Sequence, residues 1–337
     1  MSSAPSADEI WEDARWLAQA VDPRAGLVRL VEMKAEDYRE ASFLDDRMFD
    51  RPRTSHLLQW DEVANSMPSI RRADARWIFH IGHVGSTLIA RLLGELKGIL
   101  SVREPRALRD LTFFPAEVRA QYTPTLRNLF SRTFAPHQAA LIKATSFVSE
   151  IAPELWTPRQ PAIFVYASPR NYIAGILAGE NSRKELAALA ESRTARLASR
   201  GIQLPPARNE AELAAGAWAC EMTALEAVGE LTIGPRAWTD FDRMLEDPAK
   251  WLAILAGALR IPASDTELEA IANGPLMRRY SKATEHEYSP QLRRDLLAEA
   301  GTRHRSDIES ALAMLDEAAE TAPLLKQALW RASRSES

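Results

Sequence analysis

The sequence predicts a helix-rich α/β protein with three α/β/α layers around a central parallel sheet. Short apolar runs recur along the 337 residues, and a stretch with helical periodicity follows most of them. Strands that alternate with helices in this way pair in parallel through right-handed crossovers. Gly is scarce, with 14 residues, whereas Ala, Leu, Glu and Arg are abundant, so helix should dominate the rest of the chain.

The first 70 residues predict a helical extension packed on the core. Residues 6–21 and 35–48 have the spacing of amphipathic helices. The run LVRLVEM at 27–33 fits either a helix or a strand. The character of the sequence then changes near residue 71.

Five apolar runs after this point predict the strands of the sheet. They lie at 75–82, 99–102, 138–145, 161–168 and 231–238. Runs without polar alternation fit strands that are buried on both faces. Helical patterns occupy 86–96, the segment from about Pro105, most of 169–230, and the chain beyond 240 except for an irregular piece at 273–288.

The chain shows no internal repeat and no low-complexity linker. We therefore expect one α/β domain over residues 71–332, followed by a disordered tail at 333–337.

Charge and cysteine content limit the function classes. Lys and Arg number 42 against 46 Asp and Glu, giving a net charge of −4. A mildly acidic protein is not a general nucleic-acid binder, so any phosphate site must be local. The single Cys220 excludes an internal disulfide and a cysteine-based metal cluster. It lies in the helical pattern AAGAWACEM and is predicted to be a small core residue.

The N-terminal sequence MSSAPSADEIWEDARW is acidic and lacks the basic start and apolar run of a signal peptide. No stretch reaches the roughly 18 apolar residues that a membrane span needs. These features predict a cytoplasmic protein without a membrane span.

The richest local signal is FHIGHVGSTLIARLL at 79–93, where a buried strand enters a tight loop and then a helix. Glycines let backbone N–H groups approach an anion closely, and the helix N-terminus adds partial positive charge. The two hydroxyls that follow can bond to phosphate oxygens. The predicted phosphate loop comprises Gly82, His83, Val84, Gly85, Ser86 and Thr87. The alternative is a plain strand-to-helix turn with Ser86 as the N-cap.

This loop lacks the Lys of the triphosphatase pattern GxxxxGK followed by Ser or Thr. It resembles the phosphosulfate loop of sulfotransferases, which reads roughly Pro, basic residue, Ser, Gly, Thr, Thr, then Leu or Trp. Gly82 takes the Pro position, His83 the basic position and Val84 the Ser position. The residues from Gly85 to Leu88 continue the pattern.

Further segments extend the resemblance over about 75–262, towards the bacterial and tyrosylprotein type of the family. Glu104 in SVREPRALR matches a family Glu about twenty residues beyond the basic loop residue. LIKATSF matches a strand ending in Lys-Thr-Pro and places Lys143. The segments at 166–173 and 238–261 match two later family signatures. The resemblance implies a P-loop NTPase-like fold of the sulfotransferase type.

The resemblance also implies a reaction and a set of roles. The co-substrate would be 3'-phosphoadenosine-5'-phosphosulfate (PAPS), and the acceptor a hydroxyl or an amine, with no metal. Glu104 would be the general base, and Lys143 would lie near the bridging oxygen, where negative charge develops. His83 would add charge at the loop. The alternatives are a structural ion pair of Glu104 with a neighbouring Arg and a structural role for His83.

Two positions depart from the family. The Arg and Ser that hold the nucleotide 3'-phosphate in the family correspond to Ala167 and Gly175 here. Arg170 and Arg183 are nearby cations that offer a replacement. The segment MRRYSKATEHEY, with Tyr280 and Lys282, resembles a C-terminal loop that folds over the nucleotide; the alternative is a solvated basic loop.

Two other functions remain open at this level. One is a nucleotide-dependent kinase or hydrolase on the same fold, and the other is a non-catalytic nucleotide-binding protein. The identity of the acceptor and the oligomeric state are not indicated by the sequence.

Overall fold

A computed structural model describes residues 3–231, 233–279 and 288–334. The N-terminal part is built around a three-stranded antiparallel sheet, in the order β1-β2-β3. Its elements are α1 (Ala7–Glu12), β1 (Trp16–Asp22), β2 (Leu27–Glu32), α2 (Ala35–Glu40), a 3-10 turn (Asp46–Asp50), β3 (Ser55–Gln59) and α3 (Trp60–Asn65).

The expectation of a helical extension is wrong for these elements. The predicted helix at 6–21 ends at Glu12, and strand β1 follows. Residues Trp16 to Gln19 of β1 are all buried, because the strand pairs with β2 and packs against a helix of the larger domain. A strand buried on both faces has no alternation that would separate it from a buried helix. The ambiguous run at 27–33 forms strand β2.

The central sheet has five parallel strands, as predicted, in the order β5-β6-β4-β7-β8. The strands are β4 (Arg76–His80), β5 (Ile99–Arg103), β6 (Ala139–Lys143), β7 (Ala162–Tyr166) and β8 (Arg236–Asp240). Every residue of β5, β6 and β7 is buried, which accounts for their mostly apolar sequences without polar alternation.

Helices cover both faces of this sheet. The helices are α4 (Ser86–Gly94), α5 (Arg106–Leu111), α6 (Ala116–Leu129), α7 (Ala152–Leu155), α8 (Pro169–Ala178), α9 (Glu180–Ala188), α10 (Ala190–Ser199), α11 (Glu210–Leu231), α12 (Phe241–Met244), α13 (Pro248–Ala258), α14 (Asp265–Ala272), α15 (Pro290–Arg303), α16 (Arg305–Ala319) and α17 (Pro323–Ser333). Further 3-10 turns lie at Ser146–Ile151 and Pro275–Arg278. Helices α4 and α13 pack on the sheet and on each other, whereas α11 contacts β4 and β7 and carries α8, α16 and α17 behind it. The three-layer α/β/α architecture is therefore confirmed.

The path of the chain through the sheet places a crevice at its centre. From β4 the chain crosses to β5 at one edge, and after β6 it crosses over β4 to β7. In open α/β sheets, ligands bind at the carboxyl ends of the strands where the strand order reverses in this way.

The structure also bears on two expectations from the sequence, the burial of Cys220 and the membrane span. Cys220 is fully buried in α11, as predicted for a core residue. Among the helices of the described residues, none has both the length and the apolar character that crossing a bilayer demands.

Candidate functional site

The carboxyl ends of β4, β5 and β6 open into a cavity of about 760 Å³. Three segments that are far apart in the sequence meet there. The lining includes Gly82, His83, Val84, Gly85, Ser86, Thr87, Glu104 and Lys143. The loop and the two candidate catalytic residues predicted from the sequence therefore face one shared space.

The loop owes its shape to left-handed backbone conformations. Gly82, His83 and Gly85 have φ values of 79°, 54° and 62°. A Cβ atom on Gly85 would lie 2.0 Å from the Phe241 ring, so no other residue fits there without displacing that ring. Helix α4 starts directly after Gly85, and its first N–H groups have no partner within the helix. The loop can therefore offer backbone donors to an anion.

His80, at the end of β4, fixes the start of the loop and was not predicted from the sequence. Its Nδ1 accepts a hydrogen bond from the Gly82 N–H at 2.9 Å, and its Nε2 lies 2.8 Å from the Ala144 carbonyl oxygen. Both bonds are satisfied when the ring carries its proton on Nε2. The available signal was a histidine at the end of an apolar strand, two residues before Gly82.

Thr87 carries a buried hydroxyl whose Oγ1 has no hydrogen-bond partner among the described residues. The residue is 1% exposed and lines the cavity. A buried hydroxyl without a partner costs free energy, so a ligand that accepts its hydrogen bond would offset that cost. Ser86 is also buried, and the N-cap of α4 is Gly85, with no side-chain capping bond. The plain-turn alternative with Ser86 as N-cap is therefore wrong in that detail.

Lys143 and Glu104 form an ion pair that lines the cavity. Lys143 ends β6, and its side chain is 1% exposed; its Nζ donates to Glu104 Oε1. Glu104 follows β5 with a φ of 51°, and its backbone N–H donates to the Lys143 carbonyl oxygen at 2.7 Å. A second cation, Arg47, lies with Nη2 3.6 Å from Glu104 Oε2. The Phe43 ring lies against both cations, 3.4 Å from Arg47 Cζ and 5.9 Å from Lys143 Nζ.

The neighbouring arginines do not account for Glu104. The buried Arg103 donates instead to the carbonyl oxygens of Tyr38 and Ala41, and Arg106 pairs with Asp46 and Asp110. The alternative of an ion pair with Arg103 or Arg106 is therefore wrong. Glu104 instead pairs with cations that line the cavity.

His83 is held by helix α9. Its Nδ1 lies 3.3 Å from Ser182 Oγ, and its Nε2 lies 3.5 Å from Glu185 Oε2. The side chain is 21% exposed and the residue lines the cavity. The ring therefore has structural partners while remaining within reach of a ligand, and its part in the chemistry stays a prediction.

Arg170 and Arg183 do not join the loop. Arg170 begins α8 on its outer side, where Nη2 lies 2.9 Å from Glu309 Oε1, and Arg183 pairs with Glu210 at 3.4 Å. Neither residue lines the cavity. Their closeness in sequence was misleading because the phase of each helix directs the side chain away. Tyr280 and Lys282 lie outside the described residues.

Several cavity residues gave no usable signal in the sequence. They come from the N-terminal part, from α5, from α12 and from α15: Phe43, Arg47, Arg109, Phe241 and Arg293. Gly175 also lines the cavity, whereas Ala167 is buried and does not line it; its carbonyl oxygen accepts a hydrogen bond from Trp218 Nε1 at 3.0 Å. Within the described ranges, no group of three His, Cys, Asp or Glu side chains is arranged to hold a metal ion.

No protein-family model matches the sequence, and no curated protein matches it either. Solved structures with a similar fold include the sulfotransferase domain from the curacin biosynthetic pathway, at 14% identity and a TM-score of 0.39 over 66% of this chain and 86% of that one. The sulfotransferase domain of the Synechococcus olefin synthase has 15% identity and a TM-score of 0.40 over 68% and 89%. A mouse sulfotransferase complexed with PAP has 12% identity and a TM-score of 0.42 over 76% and 88%. These scores are low, and the site described above does not rest on them.

Proposed function

We propose that this chain is a sulfotransferase that moves a sulfuryl group from PAPS to a hydroxyl or amine acceptor. The proposal rests on one observation: the loop at 82–87 and the Lys143–Glu104 pair line the same cavity. The motif resemblance found in the sequence supports the same reaction, because its loop at 82–87, Glu104 and Lys143 meet in this cavity.

The loop is suited to the leaving group of the reaction. The nucleotide 5'-phosphate would be bound by backbone N–H groups of residues 83–87 and by the hydroxyls of Ser86 and Thr87. The unpartnered Thr87 Oγ1 supports this assignment, since an anion would supply the missing acceptor. Helix α4 would add the partial positive charge of its N-terminus.

The ion pair is suited to the transfer step. Glu104 would accept the proton of the acceptor hydroxyl or amine as the new bond to sulfur forms. The bond between sulfur and the bridging oxygen breaks, and its electron pair leaves with adenosine 3',5'-bisphosphate. Lys143 would stabilise the charge that develops on that oxygen. As in phosphoryl transfer, positioning and electrostatic stabilisation would provide most of the rate enhancement.

One observation favours a non-catalytic nucleotide-binding protein instead. His83 stands at the basic position of the loop and is engaged by Ser182 and Glu185. A protein that has lost turnover would still bind the nucleotide through the loop.

Two experiments test the proposal. The first is thermal-shift titration of the purified chain with adenosine 3',5'-bisphosphate, ATP and GTP. The second is a turnover assay with radiolabelled PAPS and a panel of alcohols, phenols, sugars and amines. We expect the bisphosphate to raise the melting temperature most, because a ligand that binds only the folded state stabilises it. Transfer of label to an acceptor would support the enzyme, whereas binding without transfer to any acceptor would support the non-catalytic alternative. A larger shift with Mg²⁺-ATP, together with ATP consumption, would contradict both.

A further inference from the structure

Arg293 of α15 lines the cavity. Its Nε donates to Asp242 Oδ1 at 2.5 Å, and its Cζ lies 4.9 Å from the centre of the Phe241 ring. Asp242 is itself held by Asn171, whose Nδ2 donates to Oδ2 at 2.9 Å. The side chain is 15% exposed. The guanidinium is therefore fixed in place by its neighbours.

Contacts connect this guanidinium to the phosphate loop. The Phe241 ring occupies the space directly against Gly85, and Arg293 lies against the same ring. The distance between the loop and the guanidinium is therefore set by one aromatic ring, which is short enough for one nucleotide to contact both.

Helix α15, which carries Arg293, also packs against Gly175, one of the two positions that depart from the family pattern. A Cβ atom on Gly175 would lie 3.6 Å from Leu297, which is one helical turn beyond Arg293 on α15. The site at which the family has a serine is thus covered by the helix that carries Arg293. The cations expected to serve there, Arg170 and Arg183, pair with acidic residues outside the cavity.

Arg293 has donors to spare. Its bond to Asp242 uses Nε, and among the described residues no hydrogen bond is formed by its two terminal nitrogens. The pair of terminal N–H groups of an arginine matches two oxygens of a phosphate.

We infer that Arg293 binds the 3'-phosphate of the nucleotide and makes the site selective for a 3',5'-bisphosphate over a 5'-monophosphate. The inference rests on the proposed function and assigns to α15 the role that Ala167 and Gly175 cannot perform. Asp242 acts as a positioning residue that orients the guanidinium.

The role of Arg293 can be tested by isothermal titration calorimetry of Arg293→Met with adenosine 3',5'-bisphosphate and with adenosine 5'-monophosphate. We expect the bisphosphate affinity to fall about 10- to 100-fold, the range for a charged hydrogen bond, and the monophosphate affinity to change less than about threefold. Arg294→Met is the matched control: this neighbouring arginine bonds to Gln291, does not line the cavity, and should keep both affinities. The double variant Arg293→Met with Asp242→Asn should show the same loss of selectivity. This result would show that the loss comes from the missing guanidinium and not from repulsion of the phosphate by an unpaired Asp242.

The outcomes are distinct. If the wild-type chain prefers the bisphosphate and Arg293→Met keeps that preference, the inference is overturned while the proposed function stands. If the wild-type chain binds both nucleotides equally, the inference is overturned, and the turnover assay with labelled PAPS still decides the proposed function. Should Arg293→Met fail to fold, Arg293→Lys keeps the charge but loses the paired donors, and a selectivity within twofold of wild type would also overturn the inference.

Discussion

The Lys143 and Glu104 side chains form an ion pair, and the same two residues are joined through the backbone. The Glu104 N–H donates to the Lys143 carbonyl oxygen, and Arg103, which precedes Glu104, is the register partner of Lys143 across β5 and β6. The geometry of the pair is therefore set by the register of the central sheet. In the proposed reaction, a carboxylate and a cation placed in this way would need little rearrangement to meet a substrate.

Glu104→Gln should remove the proposed general base while keeping the shape of the side chain. An amide oxygen can still accept the bond from Lys143, so we expect nucleotide affinity to change less than about threefold. Turnover should fall by roughly 100-fold or more, the usual range for loss of a general base. Steady-state kinetics and calorimetry on the same preparation measure both. Wild-type turnover in this variant would rule out Glu104 as the base.

Lys143→Met should weaken both nucleotide affinity and turnover, because the cation would face the leaving group of the proposed reaction. It should also lower the free energy of unfolding by about 3 kcal/mol, since it leaves the Glu104 carboxylate without its main partner. The double variant with Glu104→Gln should regain most of this stability in urea denaturation but no activity. If the double variant is as unstable as the single one, the charge explanation is incorrect.

Thr87→Val should separate stability from ligand binding. The Thr87 hydroxyl has no partner among the described residues, so its removal should leave the free energy of unfolding unchanged or slightly higher. Nucleotide affinity should fall about 5- to 10-fold. Thr223→Val is the matched control: its buried Oγ1 donates to the Ala219 carbonyl oxygen at 2.7 Å, so it should lose about 1 kcal/mol of stability and keep nucleotide affinity. The opposite pattern in the two variants would exclude a ligand-binding role for Thr87.

Gly85→Ala should disrupt the loop. The new methyl group would lie 2.0 Å from the Phe241 ring, and the φ of 62° is unfavourable for alanine. We expect a loss of about 2 kcal/mol or more in urea denaturation and no measurable nucleotide binding. Gly257→Ala in α13 is the control, since its methyl group would meet nothing within 4 Å and should raise stability by up to about 1 kcal/mol. Normal nucleotide binding by Gly85→Ala would contradict the described loop geometry.

Cys220 should be unreactive in the folded protein. Burial raises the pKa of its thiol to about 12, so the reactive thiolate is scarce at pH 8 and the sulfur is also inaccessible. A disulfide reagent such as DTNB should label less than a tenth of the native protein in an hour and one thiol per chain after unfolding in urea. Rapid labelling of the native chain would show that α11 opens far more readily than its packing indicates.

The central sheet and its loop could be predicted because their signals are local. Strands buried on both faces leave continuous apolar runs, and their carboxyl ends meet at one edge of a parallel sheet, which brings Glu104 and Lys143 to the loop. Strand β1 was mistaken for a helix because Trp16 to Gln19 are all buried and show no alternation. The direction of Arg170 depends on the phase of its helix, and Arg293 reaches the cavity through tertiary packing more than a hundred residues beyond the loop.

The bonds that Arg103 makes to the carbonyl oxygens of Tyr38 and Ala41 have a consequence for any attempt to trim the protein. A chain shortened to begin at residue 71 would leave the buried Arg103 guanidinium without these hydrogen-bond acceptors. It would also remove Phe43 and Arg47 from the lining of the cavity. The first seventy residues therefore contribute both to the stability of the central sheet and to the lining of the cavity.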